Sequence, residues 1–190
     1  MKRMRVITLL ACLTLVSCAG QAGGAFDATP ATGAVVQAQQ AGSQKITGEV
    51  VGVADGDTIT VLDGERRQHR IRLAGIDAPE SSQDFGRASK QNLSALVYRK
   101  AVEVTYSKYD HYGRVLGVVR LDGRDINLAQ VEAGLAWHYK EYQDEQTAAD
   151  RKLYGEAEGE ARNARRGLWA DPSPIPPWDF RHGKRGRAEE

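Results

Sequence analysis

The sequence predicts an α+β domain built on a five-stranded Greek-key β-barrel with about three α-helices. Short segments rich in valine and isoleucine are separated by Asp-Gly turn signals, which is typical of small antiparallel sheets. Three longer segments carry apolar residues at helical spacing. The two cysteines, Cys12 and Cys18, lie near the start of the 190-residue chain. The remainder therefore contains neither a disulfide framework nor a multi-cysteine zinc site.

The first 17 residues have the features of an export signal. A cationic segment, residues 1–5, precedes an apolar segment, residues 6–16, that is too short to span a membrane. Residues 15–18 (Leu-Val-Ser-Cys) resemble a bacterial lipobox, in which the cysteine is diacylated and becomes the new N-terminus. We therefore predict lipidation of Cys18 and a lipoprotein anchored in a membrane of the bacterial cell envelope. The alternative is an ordinary secretory signal that is cleaved a few residues later.

Two segments of biased composition flank the predicted domain, which spans residues 45–170. Residues 18–44 are rich in alanine, glycine and glutamine, and such a segment buries too little apolar surface to offset its ordering entropy. We predict that it is a flexible, lipidated linker. Residues 171–190 begin with a proline-rich stretch and end with a basic one. Because proline excludes regular structure, we predict an extended tail there.

The domain opens with a predicted meander of three strands over residues 46–54, 58–62 and 68–74. The first segment is rich in valine, and Asp-Gly turn signals follow the first and second segments. In the third segment Ile71 and Leu73 fall on one face. Two further strands are predicted downstream at 102–106 and 115–121.

Three helices are predicted between and after these strands. Residues 84–98 carry a crude apolar stripe. Asn127 is expected to N-cap a helix that ends at Ala133 and is closed by Gly134. A longer helix over residues 147–165 has alanine and leucine near helical spacing. Strands interleaved with helices in this order fit a small Greek-key barrel.

The charge balance excludes a uniformly basic nucleic-acid coat. The chain has 26 lysines and arginines against 25 acidic residues, a formal net charge of +1. Binding of a polyanion must therefore come from a local cluster rather than from the field of the whole protein. Acids and arginines concentrate in three short segments, residues 55–58, 72–80 and 110–114, each at a predicted strand end.

Taken singly, these three segments have ordinary structural interpretations as a turn, a helix cap and a surface ion pair. Together they supply the parts of a phosphodiester hydrolase. Asp57 and Asp77 offer hard oxygen ligands that suit Ca²⁺ or Mg²⁺. Arg72 and Arg114 offer planar, bidentate donors for a phosphate. Glu80 is a third carboxylate that is left over for proton abstraction.

The same segments resemble the motifs of the thermonuclease, or staphylococcal nuclease-like, family. The matching stretches are residues 55–61, 72–80 and 110–116, and the resemblance extends over about two-thirds of the chain. It implies a five-stranded barrel of the OB-fold type with three helices. It also implies a Ca²⁺-dependent endonuclease that cleaves DNA and RNA and leaves 3′-phosphates.

The resemblance assigns roles to individual residues. Its implied Ca²⁺ ligands are the carboxylates of Asp57 and Asp77 and the carbonyl of Ala78. Its implied catalytic residues are Glu80, as general base, and Arg72 and Arg114, which stabilise the transition state. The implied substrate-binding residues are Tyr112 and His111. His111 stands where the family usually has lysine or arginine, which weakens a phosphate contact unless the imidazole is charged.

Two other function classes compete with a nuclease. A non-catalytic nucleic-acid-binding module would have lost acids or arginines, whereas the two metal-ligand aspartates, the glutamate and both arginines are present here. A structural envelope lipoprotein would explain the lipid anchor but not these side chains. We therefore predict an enzyme that acts as a monomer on DNA, RNA or both, with Ca²⁺ as cofactor and a membrane as its anchoring partner.

Overall fold

The computed structural model describes residues 42–183. These residues form eight β-strands, four α-helices and two short 3₁₀-helices. The strands are β1 Gln44–Val53, β2 Thr58–Asp63, β3 Gln68–Leu73, β4 Ile76–Asp77, β5 Ala101–Tyr109, β6 Val115–Leu121, β7 Arg124–Asp125 and β8 Trp137–His138. The helices are α1 Gly86–Val97, α2 Ile126–Glu132, α3 Ala148–Asn163 and α4 Pro177–Arg181, and the 3₁₀-helices are Lys140–Glu145 and Gly167–Ala170.

Five strands close into a barrel, as the sequence predicts. Their hydrogen-bonded order is β3-β2-β1-β5-β6, and β6 also pairs with β3. The closing pair is parallel, with Arg72 opposite Leu116, whereas the other neighbours in the barrel are antiparallel. Closure satisfies both edges of the sheet. It also brings the end of β3 beside the start of β6, where two of the three charged segments lie.

The core of the barrel follows from the alternation of the strands. Ile59 and Val61 of β2, and Ile71 and Leu73 of β3, are completely buried, and the residues between them are more polar. Helix α1 adds Leu93 and Val97 to the same cluster. A second, smaller cluster joins β8, α3 and the 3₁₀-helix Gly167–Ala170, and it consists of Trp137, Ala161, Leu168 and Trp169.

The prediction that Asn127 is the N-cap of α2 is wrong. Asp125, not Asn127, is the N-cap, and its side chain accepts a hydrogen bond from the backbone N–H of Leu128 at 3.0 Å. Asn127 lies inside the helix and is fully buried. Both residue types favour the cap position, so the sequence alone did not separate them. The predicted closing glycine, Gly134, does adopt a left-handed conformation with φ +66°.

The C-terminal segment differs from the extended chain that its prolines predict. Residues 177–181 form α4, and Pro177 occupies its first turn. Proline is tolerated there because the first N–H groups of a helix have no partner within the helix. Isolated helices of one turn are unstable, so packing against the domain must hold α4 in place. Among the described residues, no helix is long and apolar enough to cross a membrane.

Candidate active site

The three charged segments meet in one cleft of about 580 Å³. Barrel closure places the third segment beside the end of β3, and the backbone N–H of Leu73 donates to the carbonyl of Asp57 at 2.8 Å. All eight site residues that the sequence predicts within the domain line this cleft: Asp57, Arg72, Asp77, Ala78, Glu80, His111, Tyr112 and Arg114. The ninth, Cys18, lies outside the described residues.

A tight turn presents Asp57 to the cleft. The carboxylate of Asp55 accepts the backbone N–H of Asp57 at 3.1 Å. A Cβ on Gly56 would collide with the side chains of Ser89 and Ala78, so the turn requires glycine at this position. Gln130 donates to the carbonyl of Gly56 at 2.7 Å. The turn is therefore fixed against α1 and α2, and the position of Asp57 follows from it.

Arg72 joins the two buried aspartates. Its Nη1 lies 3.0 Å from Oδ2 of Asp57, and its Nη2 lies 2.7 Å from Oδ1 of Asp77. The same guanidinium donates to the backbone carbonyls of Leu73 and Ile76 at 3.1 and 3.0 Å. Asp57 and Asp77 are 6% and 0% exposed. Arg72 therefore fixes the spacing of the two carboxylates as well as neutralising part of their charge.

Burial raises the pKa of Asp57 to about 7, although the charge of Arg72 and the backbone N–H of Ala78 lower it. That N–H donates to Oδ2 of Asp57 at 2.7 Å. The ionised form of this carboxylate is thus costly in the absence of a further positive charge. A cation beside Asp57 and Asp77 would stabilise both carboxylates.

The oxygen donors of this cleft fit a hard divalent cation. Two carboxylates and the carbonyl of Ala78 form a donor set of the kind that Ca²⁺ and Mg²⁺ prefer. Within residues 42–183 no group of three or more histidines, cysteines, aspartates or glutamates is arranged to hold a metal. Because Ca²⁺ takes about six to eight oxygen ligands, water would complete the coordination of an ion held by these three donors, with room for a phosphate oxygen.

Glu80 lies on the loop between β4 and α1. Its side chain is 38% exposed, and its backbone N–H donates to Oε1 of Gln83 at 3.1 Å. Oε1 of Glu80 accepts a hydrogen bond from Nη1 of Arg181 at 2.7 Å. The carboxylate is thus accessible to water and sits next to the buried pair.

Arg114 is held in the cleft by its own loop and by Thr58, whose hydroxyl also donates to the Asp57 carboxylate. Its Nε donates to Oδ2 of Asp110 at 2.6 Å, and its Nη1 lies 3.4 Å from the hydroxyl of Thr58. Burial raises the pKa of Asp110, but hydrogen bonds from the backbone and side chain of Arg114 outweigh it and lower the pKa overall. Nη2 of Arg114 has no hydrogen-bond partner within the described part of the chain, so it is available to a ligand.

Tyr112 and His111 lie at the rim of the cleft. The Tyr112 side chain is among the most exposed large apolar groups, at 74%, and its ring centroid lies 3.7 Å from that of His111. The guanidinium carbon of Arg114 lies 5.4 Å from the centroid of Tyr112. An exposed aromatic pair beside a cation suits contact with a nucleotide.

Sequence reasoning missed Arg181, which also lines the cleft. Its Nη2 lies 2.7 Å from Oδ2 of Asp77, and its Nη1 lies 2.7 Å from Oε1 of Glu80. This residue follows a proline-rich stretch and is 104 positions from Asp77 along the chain. No local pattern links the two segments, and only the docking of α4 brings them together.

Comparison with known proteins gives one family and several relatives. The family model described as staphylococcal nuclease homologue matches residues 70–171. A protein of Escherichia coli named "Uncharacterized endonuclease" is 47% identical over 140 residues, covering 73% of this chain and 87% of the relative. "Micrococcal nuclease" of Shigella flexneri is 44% identical over 147 residues, covering 73% and 82%. "Staphylococcal-like nuclease CAN1" of Arabidopsis thaliana is 38% identical over 120 residues, covering 63% and 35%.

Proposed function

Since the chain belongs to the family of staphylococcal nuclease homologues and is a hydrolase of nucleic-acid ester bonds, we propose that it is a Ca²⁺-dependent endonuclease. Its substrates are DNA, RNA or both, and its products carry 3′-phosphates. The observation that carries this proposal is the convergence of Glu80, Arg72 and Arg114 on one cleft beside a buried pair of aspartates. We also propose that the protein acts as a monomer.

Asp57, Asp77 and the carbonyl of Ala78 would hold the Ca²⁺ ion. An ion held there would supply a Lewis acid for a phosphoryl oxygen of the scissile group. The high cost of ionising Asp57 in this buried position supports a cation as its partner. The irregular set of two carboxylates and a carbonyl favours Ca²⁺ over Mg²⁺, which demands a near-ideal octahedron.

Glu80 acts as the general base in this mechanism. Its half-exposed carboxylate accepts a proton from the attacking water, and the water oxygen forms the new bond to phosphorus. The bond between phosphorus and the 5′-oxygen of the leaving nucleotide breaks, that oxygen takes up a proton from solvent to become a hydroxyl, and the phosphate remains on the 3′-oxygen. This carboxylate fits the role because it is close to the metal ligands yet open to solvent.

Arg72 and Arg114 both line the cleft and stabilise the pentacoordinate transition state. A guanidinium can donate two parallel hydrogen bonds to phosphate oxygens. Arg114 is anchored through Nε to Asp110 and through Nη1 to the hydroxyl of Thr58, which leaves Nη2 for the substrate. Arg72 is anchored to both aspartates, so its contribution combines orientation of the ligands with positive charge. Tyr112 and His111 contact the nucleotide at the rim.

We also propose that the protein is a lipoprotein of the bacterial cell envelope. The lipobox-like residues 15–18 and the acyl site Cys18 support this, and they lie outside the described residues. In this proposal the residues between Cys18 and β1 connect the lipid anchor to the domain. A nuclease anchored in this way meets nucleic acids outside the cytoplasm.

Zymography tests the proposal directly. The purified chain is run on gels containing DNA or RNA and developed with Ca²⁺, with Mg²⁺ or with excess chelator. Clearing that requires a divalent ion and is strongest with Ca²⁺ supports the proposal. Absence of clearing under every condition would refute the nuclease, and a mobility shift of labelled DNA by the same inactive chain would then identify a non-catalytic binding module. Clearing in excess chelator would refute the metal assignment.

A further inference from the structure

The C-terminal helix contributes an arginine to the active site. Arg181 is the last residue of α4, and its guanidinium bridges two acids that the proposed mechanism uses. Nη2 pairs with Oδ2 of Asp77 at 2.7 Å, and Nη1 pairs with Oε1 of Glu80 at 2.7 Å and approaches Oδ1 of Asp77 at 3.3 Å. The planar fork thus fixes the distance between the two carboxylates.

Arg181 gives Glu80 an orientation that its own loop does not supply. Within residues 42–183, Arg181 is the one side chain at hydrogen-bond distance from the Glu80 carboxylate. That carboxylate is 38% exposed, so without a partner it would sample several rotamers. Asp77 is fully buried and is held by Arg72. Arg181 therefore links the exposed Glu80 carboxylate to the buried, fixed carboxylate of Asp77.

A second contact joins the tail to the loop that carries Glu80. The amide of Gln83 accepts from the backbone N–H of Glu80 and donates to the carbonyl of Ile175 at 2.5 Å. The tail therefore holds both the backbone and the side chain of Glu80. Burial lowers the pKa of Arg181, but the hydrogen bonds that it donates to Asp77 and Glu80 outweigh burial and raise the pKa overall, so the guanidinium stays charged.

Aromatic packing fixes α4 to the domain. The ring of Trp178 stacks on Tyr139 with centroids 5.4 Å apart, and it meets Trp137 edge-on at 5.6 Å. Trp137 in turn packs on Trp169 at 4.3 Å. Pro177 is buried. A helix of this length has no stability of its own, so these contacts set where Arg181 lies.

We propose that Arg181 is a positioning residue for catalysis, which holds the Glu80 carboxylate in the orientation needed to accept a proton from water. The proposal rests on the proposed function, because it assigns Arg181 a role through the general base. It makes the C-terminal segment part of the catalytic apparatus. In the opposite role, the Arg181 side chain would block Asp77 and Glu80 and so inhibit the enzyme. Removal of this side chain would then raise activity.

A double-mutant cycle between Arg181 and Glu80 tests the proposal in the full chain. Arg181→Ala should lower kcat by about 10–100-fold, the size of effect that misplacement of a catalytic group produces. In the Glu80→Gln background the same change should lower kcat by less than about 3-fold, because the residue through which Arg181 acts no longer functions. Arg181→Lys should recover part of the loss, and KM for DNA should change little.

Matched controls separate this role from a structural one. Arg99→Ala removes the exposed pair of Arg99 with Glu49, whose 3.0 Å contact resembles that of Arg181 with Glu80, and it should leave kcat unchanged. The three tryptophans of the chain are Trp137, Trp169 and Trp178, so tryptophan fluorescence reports whether α4 stays docked. If Arg181→Ala lowers the melting temperature, Arg181→Met, which keeps an apolar stem, takes its place in the cycle.

The outcomes are distinct. An unchanged or higher kcat for Arg181→Ala overturns the inference, and a higher kcat identifies a blocking role. Equal losses in both backgrounds also overturn it, because they show that Arg181 acts independently of Glu80. If the wild-type chain has no nuclease activity, the proposed function fails and the inference fails with it. If the wild type is active and Arg181→Ala matches it, only the inference fails.

Discussion

Arg72 and Asp77 form an ion pair of 2.7 Å in which the aspartate side chain is 1% exposed and the arginine side chain 13%. Arg72 is therefore a structural partner of the proposed metal ligands as well as a proposed phosphate ligand. Arg114 differs, because its ion pair with Asp110 is confined to its own loop. The two arginines, which the sequence presents as equivalent, should respond differently to substitution.

We expect Arg72→Lys and Arg114→Lys each to lower kcat by about 10²–10³-fold, the usual effect of removing one preorganised donor set. The melting temperature should separate them. Lysine at position 72 cannot bridge two carboxylates and two carbonyls, and unsatisfied buried groups cost about 1–3 kcal/mol each. Arg114→Lys should melt within a few degrees of the wild type, which calorimetry checks. A wild-type cleavage rate in a well-folded variant would exclude the clamp role for that arginine.

Asn127 should be one of the most sensitive positions for stability. Its carbonyl accepts from the backbone N–H of Val119, and its amide donates to the carbonyls of Ala74 and Gly117. Asn127→Ala removes this partner from three backbone groups, of which the carbonyl of Gly117 keeps a hydrogen bond from the N–H of Ala74. We expect a loss of about 3–5 kcal/mol in the free energy of unfolding, measured by urea denaturation. A loss below about 1 kcal/mol would show that water replaces the amide.

These residues show what could be predicted from the sequence. The five barrel strands and their order along the chain follow from alternation and turn signals, which act over a few residues. The site residues of the domain follow from three motifs, and the parallel pairing of β3 with β6 brings these motifs together. The catalytic and ligand roles of these residues stay predictions.

The N-cap of α2 and the helix α4 were not predicted, because both depend on contacts between segments that are distant in the sequence. Asn127 and Asp125 both have capping side chains, and only tertiary packing decides which one caps α2. Helix α4 is held in place because Trp178 packs against Tyr139 and Trp137. The tail sequence contains no periodicity that predicts this docking, and the place of Arg181 depends on it.

Ca²⁺ should stabilise the folded protein. A ligand that binds only the native state adds about 2.7 kcal/mol at a concentration one hundred times its dissociation constant. We therefore expect saturating Ca²⁺ to raise the melting temperature by several degrees. Asp77→Asn should abolish this shift, whereas Asp122→Asn, in the exposed turn after β6, should retain it. A shift that survives in Asp77→Asn would place the ion elsewhere.

Cys18→Ala should remove the acyl anchor. The acyl chains of a lipoprotein require the thiol of this cysteine, so the variant should be released or stalled before processing. The fragment of residues 45–190 should remain an active, soluble nuclease, because the proposed site lies entirely within it. Mass spectrometry of the mature N-terminal peptide checks the modification. An unmodified N-terminus beyond residue 18 would indicate a secreted protein without a lipid anchor.

Glu80→Gln should be the most selective substitution in the cleft. Glutamine keeps the size of the side chain and an acceptor for Arg181, but it cannot take a proton from water. General-base catalysis contributes about 10²–10⁴-fold, so we expect kcat to fall at least a hundredfold while the melting temperature and DNA affinity stay close to wild type.

The matched control for this substitution is Glu49→Gln, which alters a glutamate paired with Arg99 on the surface. It changes the net charge by the same amount, so a general charge effect on a polyanionic substrate would appear in both variants. Single-turnover cleavage of a labelled oligonucleotide isolates the chemical step from product release. If Glu80→Gln cleaves as fast as Glu49→Gln under these conditions, then Glu80 is not the base, and the water must lose its proton to another group in the cleft.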